Sequence, residues 1–148
     1  MRAVDTSVLV YAELKTHARS LKARELLAQL AEGTSPWAIP WPCVYEFLRL
    51  LTHPRVFHPP MTLNAAKTDL ASILASPSLV MLGETERHGE VLQALLRESP
   101  ITGNLVHVAH VAALCREHGV SELFSADIDL VRFVGLKVTN PFESITGN

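Results

Sequence analysis

Short apolar runs alternate along this chain with longer stretches in which apolar side chains recur at helical spacing. The first run, in MRAVDTSVLVY, ends at Asp5 and passes through Thr6 and Ser7 into a second apolar run, which reads as strand, turn and helix start over Ala3–Val10. Later strand candidates are Trp37–Ile39, Leu79–Leu82, Glu122–Ala126 and Lys137–Thr139. Between them, Leu21, Leu26, Leu27 and Leu30 mark a helix over about 18–31 that Gly33 stops. Val44, Phe47, Leu48 and Leu51 mark another from Cys43, with Pro42 tolerated in its first turn. Thr62 is placed to cap a third, Glu84–Glu98 forms a fourth, and Asn104 is placed to cap a fifth that runs to about His118. That last helix, LVHVAHVAALC, is apolar nearly all round and is expected to be central and well buried. THPRVFHPP at 52–60 is irregular, and Asp127–Val134 is a short helical turn. Strands that alternate with helices pair in parallel, with helices covering both faces of the sheet. The prediction is an α/β protein with one three-layer α/β/α domain spanning residues 1–148.

At 148 residues the chain suits one domain with a substantial core. No apolar run approaches the roughly 18 residues of a membrane span. The start shows no basic segment followed by an apolar region and a cleavage site, so a cytoplasmic location without membrane contact is expected. A net charge of −2 does not mark a nucleic-acid binder, yet 13 Lys and Arg with seven His leave cations enough to line a groove. Cys43 and Cys115 show no metal or redox spacing and are expected as buried, reduced thiols. The glycine patterns of nucleotide-binding loops and of a hydrolase nucleophile elbow are absent. A receiver-like domain would want a lysine late in the chain near a strand end, whereas Lys137 begins the last strand.

Four carboxylates stand out by position. Asp5 follows the first strand, Glu46 lies near the start of the helix after the second, and Asp127 and Asp129 follow the strand ending at Ala126. In a parallel sheet with helical crossovers these places share one edge, the carboxyl ends of the strands, where open α/β sheets handle ligands. Each acid alone also has a bland reading, Asp5 as a helix cap, Glu46 as an outward helix residue, and Asp127 and Asp129 as turn or cap residues. Together they would repel one another unless a cation joined them, and oxygen-only ligands point to Mg²⁺ or Mn²⁺ rather than zinc. Thr6 and Ser125 neighbour these acids and are candidates to bond a carboxylate or a substrate phosphate, with helix capping an equal alternative for Thr6. Lys15, His17, Arg19 and Lys22, with Arg49, His53, Arg55 and His58, are candidate phosphate contacts or simply a solvated surface. Trp37 and Trp41 are expected in the core rather than as stacking platforms.

The order VDTSVLVYA, PWPCVYEFLRLLTHPRVF, ITGNLVHVAHVAALCREHG, LFSADIDLVRF and a final strand with NPF resembles a PIN domain. More narrowly it is similar to VapC-type toxins of bacterial toxin–antitoxin pairs. The resemblance covers nearly the whole chain and implies a five-stranded parallel sheet with a metal-dependent endoribonuclease site. It maps Asp5, Glu46 and Asp127 to a Mg²⁺ (or Mn²⁺) ion and Asp129 to a supporting position. It also implies RNA as substrate, a homodimer, and a cognate VapB-type antitoxin that aims an Arg or Lys at the carboxylates. One position departs from the pattern. Val108 stands where the family usually carries a metal-site aspartate, and valine cannot coordinate a cation. The departure implies weaker metal binding and opens the alternative of a PIN-fold module that binds RNA or antitoxin without cutting.

Overall fold

The computed structural model describes residues 1–143. Five strands form a single sheet: β1 (Arg2–Val4), β2 (Trp37–Pro40), β3 (Leu79–Leu82), β4 (Glu122–Phe124) and β5 (Val138–Thr139). Their spatial order is β3-β2-β1-β4-β5 and every pairing is parallel. β1 lies at the centre, with Arg2 opposite Trp37 on one side and Glu122 on the other. Alternate side chains of each strand leave by opposite faces. Val4, Trp37 and Ile39 accordingly enter one apolar cluster, while Ala3, Ala38 and Leu123 enter the other. The first cluster is completed by α1 (Thr6–Glu13), α2 (Ser20–Glu32), α3 (Trp41–Leu51) and α4 (Leu63–Leu74). The second is completed by α5 (His88–Glu98), α6 (Leu105–Glu117) and the 3₁₀ turn Ile128–Arg132. Burial on both faces is what an all-parallel sheet requires, and the expected three-layer α/β/α architecture is the one observed.

Local chemistry explains the element ends that matter for function. Asp5 adopts an extended conformation and caps α1, its carboxylate accepting the Ser7 N–H at 2.9 Å. Pro42 sits in the first turn of α3, and the Thr62 hydroxyl accepts the Ala65 N–H at 3.1 Å to cap α4. Just past the end of α6 lies Gly119, whose φ of +63° favours glycine.

Several expected boundaries move. α3 begins at Trp41 rather than Cys43, because extended Pro40 serves as its cap. β4 stops at Phe124 rather than Ala126: the Ser125 amide still donates to Thr139 O at 3.0 Å, but Ala126 N–H donates to Ser7 Oγ (2.9 Å) and Asp127 N–H to Ser125 Oγ (2.8 Å). α5 begins at His88 rather than Glu84. The Thr85 amide and hydroxyl both donate to Glu117 Oε1, at 2.9 and 2.8 Å, and such side-chain bonds compete with a helical start. Asn104 occupies the cap position of α6, but its side chain makes no capping bond. α6 is well buried only from Ala109 onward: His107 and Val108 line a cleft, and Val106, outside both cleft linings, is 49% exposed. Trp37 is core, with its indole N–H donating to Ser76 Oγ at 3.2 Å, whereas Trp41 lies 41% exposed at a cleft. Cys43 and Cys115 are buried free thiols, as expected. Among the described residues no helix is long and apolar enough to cross a membrane.

Candidate active site

Asp5 is 6% exposed, directly after the central strand. Its backbone N–H extends the sheet by donating to Phe124 O at 3.1 Å. Both carboxylate oxygens are then occupied: Oδ1 accepts the Ser7 amide at 2.9 Å and the Ser7 hydroxyl at 2.6 Å, and Oδ2 accepts the Ser125 hydroxyl. Ser125, 1% exposed, also accepts the Asp127 N–H, so a single hydroxyl ties the ends of β1 and β4 together. Burial pushes the Asp5 carboxyl above the usual aspartate range. The bonds from Ser125 and Ser7 pull it back, and the charge of Asp127 adds to the rise.

Asp5, Glu46 and Asp127 line one cleft of about 930 Å³, together with Thr6, Ser7, Arg49, Asn104, His107 and Val108. Glu46 projects from the second turn of α3. It is held by Arg49, which donates from Nε at 3.1 Å and from Nη2 at 2.6 Å; both side chains are exposed, so this fork is readily opened. Asp127 Oδ1 accepts the backbone N–H of Asp129 at 2.9 Å. The Asp129 side chain turns away to Arg132 at 3.3 Å and is not among the cleft walls. Thr6 is in the wall. Ser125 bonds a carboxylate, one of the two roles expected of it. Arg55 is exposed in the 52–60 loop and lies outside the wall, which that loop reaches through Val56. Arg19, another expected phosphate contact, stacks over Tyr11 and Phe142 and donates to the Tyr11 hydroxyl at 3.1 Å. Through Tyr11 it borders the same cleft. Burial, reinforced by the charge of Asp5, pushes the Cys43 thiol far up and that of Cys115 to about 12, so neither supplies a thiolate nucleophile near neutrality.

Three carboxylates from three segments converging at the carboxyl ends of a parallel sheet characterise a fold as well as a chemistry. A family model described as PIN domain matches residues 2–136. This chain belongs to the PIN-domain family. Among its relatives, Ribonuclease VapC37 of Mycobacterium tuberculosis is 35% identical over 141 residues, covering 95% of this chain and 97% of the relative. The solved structure of Mycobacterium tuberculosis VapC20, a sarcin-ricin loop cleaving toxin, superposes with a TM-score of 0.64 at 20% identity, covering 88% of this chain and 93% of that one. VapBC2 from Rickettsia felis, solved bound to a DNA fragment from its promoter, gives a TM-score of 0.61 at 19% identity over 94% of this chain and 97% of that one. The chain is thus a VapC-type PIN domain, and its kinship with proteins named ribonucleases supports nuclease activity.

Within this PIN domain the departure at position 108 is structural as well as textual. Val108 lines the cleft and packs partly buried against the α5–α6 core cluster, so the cleft wall is apolar there. The carboxylates are close enough for Asp127 to perturb Asp5, yet they are not drawn into a tight knot. Among the described residues the trio with donor atoms all within 4.8 Å of one another is Glu84, His88 and His110, outside this set. The all-oxygen donors of Asp5, Asp127 and Glu46 fit a hard cation that keeps several of its waters. Ser7 is the supporting residue that sequence reading passed over. Its signal was its place two residues after Asp5, the spacing at which an aspartate bonds its own backbone.

Proposed function

We propose that this chain is a Mg²⁺-dependent endoribonuclease toxin, with Mn²⁺ as a substitute ion, acting on RNA and restrained by a cognate VapB-type antitoxin. The observation that carries this reading is the convergence of Asp5, Glu46 and Asp127 on one cleft at the carboxyl ends of the strands. Asp5 and Asp127 would hold the ion, and Glu46 would help hold it once released by Arg49. A divalent ion there neutralises charge on the scissile phosphate and lowers the pKa of a bound water. Glu46, exposed at the cleft edge, is suited to orient the attacking water and accept its proton. Arg49, freed from Glu46, can turn its fork toward a phosphate, and Thr6 offers a hydroxyl in the same wall. Asp129 supports Asp127 through its backbone amide, and Arg55 contributes long-range attraction for the RNA backbone. The same acidic cleft suits an antitoxin arginine. A homodimer and a cytoplasmic setting complete the proposal.

The test is cleavage of RNA with Mg²⁺ or Mn²⁺ by three proteins: this chain, Val108→Asp and Asp5→Ala. Cleavage by the chain that Val108→Asp increases and Asp5→Ala removes supports the reading. Equal cleavage by all three would show a contaminant and a wrong site. Cleavage by Val108→Asp alone would make this chain a PIN-fold binding module, the reading Val108 would otherwise motivate.

A further inference from the structure

α6 carries His107 and Val108 to the carboxylate cleft, and three residues after His107 it carries His110 to an adjoining depression of about 690 Å³ that shares Pro42, Glu46, Arg49 and His107 with the cleft. There His110 Nε2 lies 2.6 Å from Glu84 Oε1, on the link between β3 and α5. His88, the first residue of α5, presents its ring edgewise to His110 with centroids 5.5 Å apart. One ligating atom from each of Glu84, His88 and His110 lies within 4.8 Å of the other two. A fourth residue sits behind them. Glu117, with its side chain 0% exposed, bonds His88 Nδ1 at 2.6 Å through Oε2 while Oε1 accepts the amide and hydroxyl of Thr85.

We propose that Glu84, His88 and His110 form a transition-metal site that takes Zn²⁺, with a ligand set distinct from Asp5, Glu46 and Asp127 in the adjoining cleft. Two imidazoles and a carboxylate are a ligand set for zinc rather than for Mg²⁺, which prefers oxygen alone. Tetrahedral ligands about 2.0–2.1 Å from zinc lie about 3.3 Å apart, so side-chain rotation must open the 2.6 Å His110–Glu84 pair and adjust the remaining separations, which are within 4.8 Å. Glu117 is the feature that distinguishes this group from a chance surface cluster. A buried carboxylate accepting from Nδ1–H fixes the tautomer of His88 and leaves Nε2 with a lone pair, the arrangement that orients histidines on metals. Its Thr85 bonds satisfy its other oxygen, so it is a positioning residue rather than a ligand. The His110–Glu84 pair is already converged, and the metal replaces the proton that now joins them. His88, His110 and Glu84 are 22%, 34% and 53% exposed, which leaves an open path for the ion and a solvent-facing fourth position. Bound metal would fasten the poorly buried start of α6 to the start of α5, stiffening the wall that His107 and Val108 present to the cleft.

The experiment uses the full chain stripped of metal, titrated with Zn²⁺ against a chromophoric chelator, and in parallel with Co²⁺ to read the absorption bands of tetrahedral coordination. One ion per chain is expected, with thermal unfolding shifted upward by several degrees. His88→Gln or His110→Gln should abolish the cobalt bands and the thermal shift while leaving the circular dichroism of the metal-free protein unchanged. Glu117→Gln should weaken Zn²⁺ by about 10–100-fold, the scale for removing an outer-shell carboxylate, and Asp5→Asn should leave it unaltered. The assignment is overturned if Zn²⁺ binds equally to the chain and to the His88→Gln/His110→Gln double variant, or if the folded chain fails to compete with the chelator. Loss of zinc binding in Asp5→Asn with retention in the double variant would move the ion to the cleft and overturn it equally.

Discussion

The carboxylate cleft and the histidine cluster share α6, yet their donors are held in different ways. In the cleft the acids are fixed mainly from behind: Asp5 by two serine hydroxyls and an amide, Asp127 by the Asp129 amide, Glu46 by an exposed arginine. They are not gathered into a group of donor atoms within 4.8 Å of one another. At the cluster, opposite partners alternate, imidazole against carboxylate, so the donors converge without any ion. Acids at a sheet edge record where a cation belongs; mixed acids and imidazoles can assemble the coordination sphere before it arrives.

The largest effect that would break the comparison is expected at Asp5. Asp5→Ala should lower Mg²⁺-stimulated RNA cleavage by about 100-fold or more, the scale for deleting one charge-stabilising group, while zinc binding at the cluster persists. Simultaneous loss of both would mean the two sites are one. Ser125→Ala comes next, because it strips a hydrogen bond from buried Asp5 and an acceptor from the Asp127 amide. Unfolding in urea should show a loss of about 1–3 kcal/mol; a loss within error would deny that this hydroxyl ties β1 to β4. Val108→Asp should sharpen the contrast by supplying a further carboxylate to the cleft that Asp5 lines. Calorimetric titration with Mg²⁺ or Mn²⁺ should show several-fold tighter binding, and no change would remove position 108 from the metal site.

The smallest effect concerns a third group, the acidic pair Glu13 and Asp69, which has neither hydroxyl scaffold nor histidine. At the end of α1, burial pushes Glu13 up to about 7, the hydrogen bond and charge of Asp69 add to the rise, and Lys15 opposes it. The folded state therefore holds a proton more tightly than the unfolded chain, whose glutamate has its ordinary value of 4.5. Stability from this pair is full below that value and is lost as pH rises toward about 7. Glu13→Gln should be the more stable protein at pH 8 and not at pH 4, by less than about 1 kcal/mol because the group is partly solvated. Parallel pH profiles for the two proteins would show that the carboxyls do not share a proton.

How much was legible beforehand follows the range of the interactions involved. Leu79–Leu82 was readable as a strand and Thr62 as a cap because each depends on neighbours a few residues away. The start of α5 was misplaced because Thr85 bonds Glu117, 32 residues distant, and no local pattern announces that. Likewise α6 looked buried all round because its apolar residues were read without knowing that Val108 lines a cleft and Val106 is exposed. Trp41 was expected inside for the same reason. In the cleft, Asp5, Glu46 and Asp127 could be named from their places after strand candidates, since topology puts strand ends together. The direction of the Asp129 side chain and the Arg49 fork on Glu46 could not, because rotamers answer to their surroundings.

The sequence by itself determined the alternation of strands and helices, hence a parallel sheet covered on both faces, and the acids at its carboxyl edge. Those are consequences of periodicity and chain order. Only the tertiary structure decided that Ser125 would close on Asp5, and that Glu84, His110, His88 and Glu117 would pair. Contacts between residues 26 to 120 positions apart exist only when packing selects one partner from many, and the sequence pattern carries no record of that selection.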